Sequence, residues 1–152
     1  MEQAVNTQDI PVAELIRSAK EARKKAYVPY SGYAVGAAVL TRELRIYTGC
    51  NIENASYTPT ICAERCAISK AVSEGSRKLL AAAVVGGPKE ENVTTQFAFP
   101  CGVCRQVMRE FSDPDEFLVI TAKSEQEYRI YSLSQLLPES FGPENLKEGG
   151  SR

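Results

Sequence analysis

The spacing of apolar residues along the chain predicts one long helix and a set of buried strands. Between residues 11 and 27, apolar side chains recur at intervals of three and four, which predicts an amphipathic helix. Small and branched residues over 33–40 predict a buried strand, and 45–51 predicts a second strand after a hairpin turn. The almost unbroken apolar run 79–85 predicts a central strand, covered on both faces, that stops at a Gly-Gly-Pro sequence.

Two further helices are predicted to begin at cysteines. One helix begins at Cys62 and ends at a cap formed by Gly75. The other opens at Cys101, because the proline that precedes this residue favours a helix start. Between these helices and beyond the central strand, 89–99 is expected to form a surface loop.

Two short strands are expected near the end of the chain. They cover 117–121 and 128–132 and are followed by a helical turn over 133–137. The order of elements predicts an α/β fold of three layers, α/β/α, with a central mixed five-stranded sheet. No linker rich in Gly or Pro divides the chain. Its 152 residues are therefore expected to form a single domain, 1–152, with an ordered core over about 10–146 and flexible termini.

The charge balance excludes some classes of partner. The chain has 18 Lys and Arg residues against 19 Asp and Glu residues, so its formal net charge at pH 7 is −1. A field strong enough to gather nucleic acid or a membrane surface is therefore not expected. The N-terminal residues lack the basic and apolar regions of a leader, and no apolar run reaches membrane-spanning length. We therefore expect a soluble, cytoplasmic protein.

The chain has five cysteines and no histidine, which limits the metal chemistry that it can support. Without histidine, a transition-metal site must use thiolates and carboxylates. Cys101 and Cys104 stand three residues apart at a helix start, so both sulfurs can reach one ion, and Cys62 opens a different helix. Three protein ligands leave the fourth position of a zinc ion open, which is typical of a catalytic site.

Two residues next to Cys62 complete the predicted chemistry. The N-terminus of a helix lowers the pKa of a thiol, so two helix starts directed at one ion would help to hold three thiolates. These thiolates leave a net negative charge on the zinc centre, and Arg65 is the candidate hydrogen-bond donor to their sulfurs. Glu64 can approach the open position without binding the metal, where it can shuttle protons between water and a substrate nitrogen.

The chain has two further cysteines, Cys50 and Cys66. Cys50 is expected to pack in the sheet. Cys66 follows Cys62 by four residues, and it is either a buried apolar residue or a fourth ligand that would close the site.

These motifs resemble those of the small, homotetrameric, zinc-dependent cytidine deaminases. The use of three Cys ligands and a Glu in this way is known zinc deaminase chemistry. The resemblance covers nearly the whole chain from about residue 10 to residue 146. It rests on Cys62-Ala63-Glu64-Arg65 and Pro100-Cys101-Gly102-Val103-Cys104, and it extends to Tyr30-Ser31-Gly32-Tyr33-Ala34-Val35-Gly36-Ala37, Gly49-Cys50-Asn51-Ile52-Glu53-Asn54-Ala55, Arg105-Gln106-Val107 and Leu136-Leu137-Pro138 through Phe141.

The resemblance implies a reaction of pyrimidine salvage with one Zn²⁺ per subunit. Zinc-bound hydroxide would attack C4 of cytidine or deoxycytidine while Glu64 shuttles protons, giving uridine or deoxyuridine and ammonia. Ala63 would contact the pyrimidine through its backbone, and Tyr33 would lie against the substrate. Asn51 and Glu53 face one side of an extended segment, where an amide and a carboxylate can hold the ribose.

The resemblance also implies that sites are shared between subunits of a homotetramer. Tyr57 and Phe141 resemble residues that reach the site of a neighbouring subunit. An isolated monomer would then lack a complete pocket. The expected ligands are a nucleoside and zinc, with no nucleic acid and no membrane as partners.

Three other functions remain open at this point. Deamination of another aminopyrimidine, such as a nucleoside antibiotic, uses a similar Cys-Ala-Glu and Pro-Cys pattern, although Asn51, Glu53 and Phe141 argue against it. A polynucleotide editor needs a basic track, which the balanced charge does not suggest. A structural zinc protein, closed by Cys66, would be an interaction module instead of an enzyme.

Overall fold

The structure, a computed structural model, describes residues 9–147 of the chain. The predicted flexible termini lie largely outside this range. The helices and strands are, in chain order, α1 (Val12–Arg23), β1 (Tyr33–Thr41), β2 (Ile46–Cys50), α2 (Ala63–Ser73), β3 (Leu79–Pro88), α3 (Gly102–Glu110), β4 (Leu118–Ala122), β5 (Tyr128–Ser132), α4 (Leu133–Leu136) and a 3₁₀ helix (Pro143–Leu146).

The five strands form one mixed sheet in the order β2-β1-β3-β4-β5. β3 and β4 run parallel, and the other neighbouring pairs are antiparallel. A parallel pair needs a crossover connection, and α3 lies in the connection between β3 and β4. The predicted mixed five-stranded sheet is confirmed.

Helices cover both faces of the sheet. Successive residues of a strand point to opposite faces, and Ala38 and Val39 of β1 accordingly belong to different apolar clusters. The cluster of Ala38 includes Leu15 from α1, whereas the cluster of Val39 includes Ile68 from α2 and Met108 from α3. The three layers α/β/α are therefore confirmed, with α1 on one face and α2 and α3 on the other.

Two predicted boundaries were wrong. β3 continues through Gly86 and Gly87 to Pro88, because these residues pair with the start of β1. α1 ends at Arg23 instead of near residue 27, because the chain leaves the helix there and the residues that follow pack in a separate apolar cluster. Ala26 there packs with Val28 in a small cluster on β1, beyond the end of the helix.

A glycine allows α2 to approach the sheet closely. A Cβ atom added to Gly49 in β2 would lie 2.5 Å from the carbonyl oxygen of Ala63 and 2.5 Å from the backbone nitrogen of Ala67. Any side chain at this position would therefore displace the first turn of α2. The close contact with the sheet therefore fixes the position of the α2 N-terminus and of the residues in its first turn.

β2 is an outer strand of the sheet, and a lysine covers part of its open edge. The ammonium group of Lys70 in α2 donates a hydrogen bond to the carbonyl oxygen of Thr48 in β2. None of the helices within 9–147 has the length and apolar character that crossing a membrane requires.

Candidate metal centre and active site

Two helix starts bring three thiols together. Cys62 caps the N-terminus of α2 and Cys101 caps that of α3, both with extended backbone. Cys104 lies in the first turn of α3 and is fully buried. The carbonyls of the two capping residues accept the first helical hydrogen bonds, from Cys66 and Arg105, at 3.0 Å each. The three sulfur atoms lie within 4.8 Å of one another, as predicted from the spacing.

The separations of the sulfur atoms fit a zinc ion. The Sγ atom of Cys101 lies 3.9 Å from that of Cys62 and 3.5 Å from that of Cys104. Tetrahedral zinc with Zn–S bonds of about 2.3 Å requires sulfur separations of about 3.8 Å. The thiols could therefore bind zinc with little rearrangement. Among the described residues Cys66 is not part of this cluster, and it lines a different cavity with Gly49.

Arg65 supplies positive charge to the thiol cluster. Its Nη2 atom donates to the Sγ atom of Cys62 at 3.5 Å. A hydrogen bond from Cys104, with a further one from Arg65, lowers the pKa of the Cys62 thiol to about 5 against the opposing effect of burial. The buried Nε atom of Arg65 has no hydrogen-bond partner within the described part of the chain. The hydrogen bond to Cys62 raises the pKa of the Arg65 guanidinium above its ordinary value.

Glu64 presents a buried carboxyl group beside the cluster. It lies in the first turn of α2, and its relative exposure is 3%. Burial raises the pKa of this carboxyl above its ordinary value, because the charged form loses its hydration. A carboxyl group in such surroundings can exchange a proton near neutral pH more readily than an exposed one.

Cys62, Cys101 and Glu64 line one cavity of about 260 Å³. Four of the predicted site residues other than the thiols line this cavity, and four further residues were not predicted. The lining consists of Cys62, Cys101, Ala63, Glu64, Tyr33 and Asn51, together with Val35, Phe97, Ala98 and Phe99.

The side chain of Asn51 joins the end of β2 to the start of β1. Its Oδ1 atom accepts from the backbone nitrogen of Val35 at 2.9 Å, and its Nδ2 atom donates to the carbonyl oxygen of Tyr33 at 2.8 Å. An amide can make four hydrogen bonds, so one donor and one acceptor position remain for a ligand. Asn51 therefore shapes the cavity wall as well as lining it.

Glu53, Tyr57 and Phe141 are not among the residues that line the cavity. The Oε1 atom of Glu53 accepts from the backbone nitrogens of Tyr30 and Ser31 at 3.0 and 3.1 Å, and hydrogen bonds from Ser31 lower the pKa of this carboxyl. Tyr57 and Phe141 are 76% and 59% exposed. Within one chain, these three predicted substrate contacts therefore lie outside the cavity.

The segment 89–99 is more than the surface loop that the sequence predicted. Ala98 is buried, and the rings of Phe97 and Phe99 line the cavity. The sequence signal for this role was a pair of aromatic residues just before the Pro-Cys motif. The rest of the stretch is polar, and for that reason the sequence predicted a surface loop. The ring of Phe99 also contacts that of Tyr131, with ring centroids 5.9 Å apart.

An α/β/α sheet fold with a cluster of three thiols, two of which line a cavity together with a buried carboxyl, is the arrangement of a zinc-thiolate enzyme. Residues 11–121 match the family described as the cytidine and deoxycytidylate deaminase zinc-binding region. The chain belongs to this family, and Cys62, Cys101 and Cys104 form its zinc-binding cluster. The predicted family and cofactor are confirmed.

Individual relatives agree with this assignment. The cytidine deaminase of Sporosarcina psychrophila is 44% identical over 135 residues, which are 89% of this chain and 94% of that protein. The crystal structure of the Burkholderia pseudomallei cytidine deaminase is 43% identical with a TM-score of 0.74, over 84% of this chain and 97% of that one. The Mycobacterium tuberculosis structure is 40% identical with a TM-score of 0.72, over 88% and 99%.

Proposed function

We propose that the protein hydrolyses cytidine and deoxycytidine to uridine and deoxyuridine, with release of ammonia. One observation carries this proposal: the buried carboxyl of Glu64 opens into the same cavity as the thiols of Cys62 and Cys101. A proton donor and acceptor next to an open zinc position is the arrangement that hydrolytic deamination requires.

The chain supplies proton transfer and charge balance. When held by the three thiols with its fourth position open, Zn²⁺ would supply the Lewis acidity that makes a water molecule nucleophilic near pH 7. Glu64 takes up a proton, delivers it to N3 of the pyrimidine and then helps ammonia to leave. Arg65 donates to the sulfur of Cys62 and offsets the negative charge of the thiolates.

The walls of the cavity suit a pyrimidine nucleoside. Ala63 and Tyr33 both line the cavity, where the backbone of Ala63 would contact the base and the ring of Tyr33 would lie against the substrate. Asn51 retains one donor and one acceptor position for a ribose hydroxyl. Glu53 keeps lone pairs on its carboxylate after accepting its two backbone hydrogen bonds, so it is the second proposed ribose contact.

The deciding experiment is a deamination assay with and without a chelator. Cytidine and deoxycytidine should lose their ultraviolet absorbance and release ammonia, whereas cytosine and an aminopyrimidine antibiotic should react far more slowly. A chelator should abolish turnover, and added zinc should restore it. Failure of the zinc-loaded protein to release ammonia from either nucleoside would rule out the proposed reaction.

We further propose a homotetramer in which subunits complete each other's sites. Tyr57 and Phe141 are large aromatic residues that remain exposed in one chain, and the ring of Tyr57 contacts that of Tyr30, which is also exposed. Exposed aromatic residues of this kind indicate a contact surface. A second subunit would cover them and bring them to a substrate.

Mixing two inactive variants tests the shared site. Glu64→Gln removes the proton carrier and Phe141→Ala removes the proposed contribution to a neighbour. If sites are shared, refolding the two variants together should produce hybrid subunit pairs with intact sites and should restore part of the activity. Activity no greater than the sum of the separate variants, or a monomer by light scattering, would contradict a shared site.

We propose a cytoplasmic location and a single domain over 1–152. All five cysteines are free thiols in the structure, and three of them are the zinc ligands. A reducing compartment would keep these thiols available for the metal. Fractionation of cells that produce the protein would test the location.

A further inference from the structure

We propose that Phe97 is a substrate-contacting residue and that Arg129 is the positioning residue that fixes its ring. The inference rests on the proposed nucleoside substrate. Phe97 lines the cavity that contains Glu64, although it comes from a segment with no helix or strand. A side chain on such a segment needs contacts elsewhere in the fold to hold one position.

Two cations lie over the ring of Phe97. The guanidinium carbon of Arg129 is 4.2 Å from the ring centroid, and the ammonium nitrogen of Lys123 is 4.8 Å from it. Arg129 pairs with Thr121 across β4 and β5, and Lys123 lies two residues beyond Thr121. Both cations therefore project from the same side of this hairpin, toward the segment that carries the ring.

Arg129 is the better candidate for holding the ring. A planar guanidinium can stack on an aromatic face, whereas an ammonium group acts as a point charge. The ammonium of Lys123 is also shared, because it donates to the carboxylate of Glu127 at 2.8 Å. The guanidinium of Arg129 is closer to the ring, and its contact with the ring face is the one that holds Phe97 in position.

The backbone on the N-terminal side of Phe97 is anchored as well. The hydroxyl of Thr94, which is buried, donates to the carbonyl oxygen of Lys123 at 2.8 Å. The Nη1 atom of Arg23 donates to the carbonyl oxygen of Glu91 at 3.0 Å. These anchors limit the movement of the backbone of the segment. The cations over the ring then fix the orientation of the Phe97 side chain. A ring held in this way presents a defined wall to the base or sugar of a bound nucleoside.

A double-mutant cycle tests the inference. The four proteins are the unmodified chain, Phe97→Leu, Arg129→Met and the double variant, and the readouts are KM and kcat for cytidine and the affinity for uridine by calorimetry. Each single change should raise KM and weaken uridine binding by about three- to tenfold, with kcat within about twofold. The double variant should equal Phe97→Leu, because Arg129 acts through the ring.

A matched control separates this effect from a general loss of cationic charge. Arg45 is exposed and immediately precedes β2, at the end of β1 opposite to Tyr33. Arg45→Met should leave KM, kcat and uridine affinity unchanged. Arg129→Lys should recover part of the loss, since it retains a cation that can lie over the ring.

Several outcomes would overturn the inference. Arg129→Met could weaken uridine binding equally with and without Phe97, which would mean that it does not act through the ring. It could reduce turnover of cytidine 5′-monophosphate alone, which would make Arg129 a phosphate contact. An unchanged KM in both single variants would also exclude a role of Phe97 and Arg129 in substrate binding. Absence of any deamination by the unmodified chain would instead contradict the proposed function, and uridine calorimetry would still report on the ring.

Discussion

The thiols of Cys62 and Cys101 and the aromatic wall formed by Phe97 and Phe99 line one cavity, but they are built in different ways. The thiols of Cys62 and Cys101 stand at the N-cap positions of two helices, and Glu64 lies two residues after Cys62 in the first turn of α2. The rings of Phe97 and Phe99 instead depend on partners on the distant β4–β5 hairpin. The reactive groups thus stand on helix starts that pack against the sheet, whereas the aromatic groups that shape the cavity stand on a segment without helix or strand and depend on side-chain contacts.

This difference predicts different consequences of substitution in the two regions. A change in the thiol centre should remove metal or chemistry and leave substrate binding largely intact. A change in the residues that hold Phe97 and Phe99, or that anchor the segment before them, should alter stability or substrate binding and leave the metal in place. The predictions that follow test this division, beginning with the largest expected effect.

Glu64→Gln should abolish most of the activity without loss of zinc. The amide preserves the size of the side chain but cannot carry the proton, so kcat should fall by about 10³-fold. Metal analysis should still find one zinc per subunit. Glu74→Gln, which changes an exposed glutamate at the other end of α2, is the control and should retain full activity. A loss of less than about tenfold would mean that Glu64 is not the proton carrier.

Cys104→Ser should lose zinc, whereas Cys66→Ser should keep it. Serine is a poor ligand for zinc beside two thiolates, and Cys104 is the fully buried member of the cluster. Cys66 lies four residues from Cys62 but lines another cavity, so it serves as a matched control. Zinc loss from Cys66→Ser would show that four thiols close the site, which would favour a structural role for the metal.

Arg23→Met should destabilise the fold and leave the zinc in place. The Arg23 side chain is buried and donates to the carbonyl oxygens of Ala34, Gly87, Pro88 and Glu91. Its loss would leave several of these acceptors unpaired, at a cost of about 3 kcal/mol or about 6–12 °C in Tm. Differential scanning calorimetry of the zinc-loaded protein measures this shift.

Lys24→Met is the control for Arg23→Met, because Lys24 is the exposed neighbouring cation and pairs with Glu21 on the surface. It should change Tm by less than about 2 °C. An equal shift for both variants would mean that the hydrogen bonds of Arg23 to the backbone do not support the wall.

Glu53→Gln should give the smallest effect on stability, and this effect should depend on pH. Hydrogen bonds from Ser31 hold the pKa of the Glu53 carboxyl below its ordinary value of 4.5 in the folded chain. A lowered folded pKa stabilises the fold above the ordinary pKa, and this contribution is lost as the pH falls through the folded value. The Tm of the unmodified chain should therefore exceed that of Glu53→Gln at neutral pH, and the difference should shrink in acid. A difference independent of pH would exclude a charge effect.

The sequence predicted the thiol centre and most of the sheet because both leave local patterns. The spacing of Cys101 and Cys104 places both at one helix start, and Glu64 follows Cys62 at another, which indicated the ligand set before the fold brought the two helix starts together. The run of small and branched residues likewise located β1. These features depend on residues that are close in the chain, where periodicity is informative.

The positions of the other residues around the site depend on tertiary contacts, which no local sequence pattern predicts. Gly86 and Gly87 resemble a strand stop, but pairing with β1 extends β3 through them. Phe97 stands in a polar segment, and only its contacts with residues near 123 and 129 show why it lies at the cavity. Asn51 was expected to face a ligand, and its bonds to the backbone of Tyr33 and Val35 emerged only from the fold.

The bond from Lys70 to the carbonyl of Thr48 bears on the solubility of the protein. An uncovered outer strand offers unpaired backbone groups on which a strand of another molecule can add, and this is a route to aggregation. The ammonium group occupies one of these carbonyls on β2, and an incoming strand would have to displace it. Self-association through sheet extension is thereby disfavoured at this edge, which leaves ordered assembly to the side-chain surfaces.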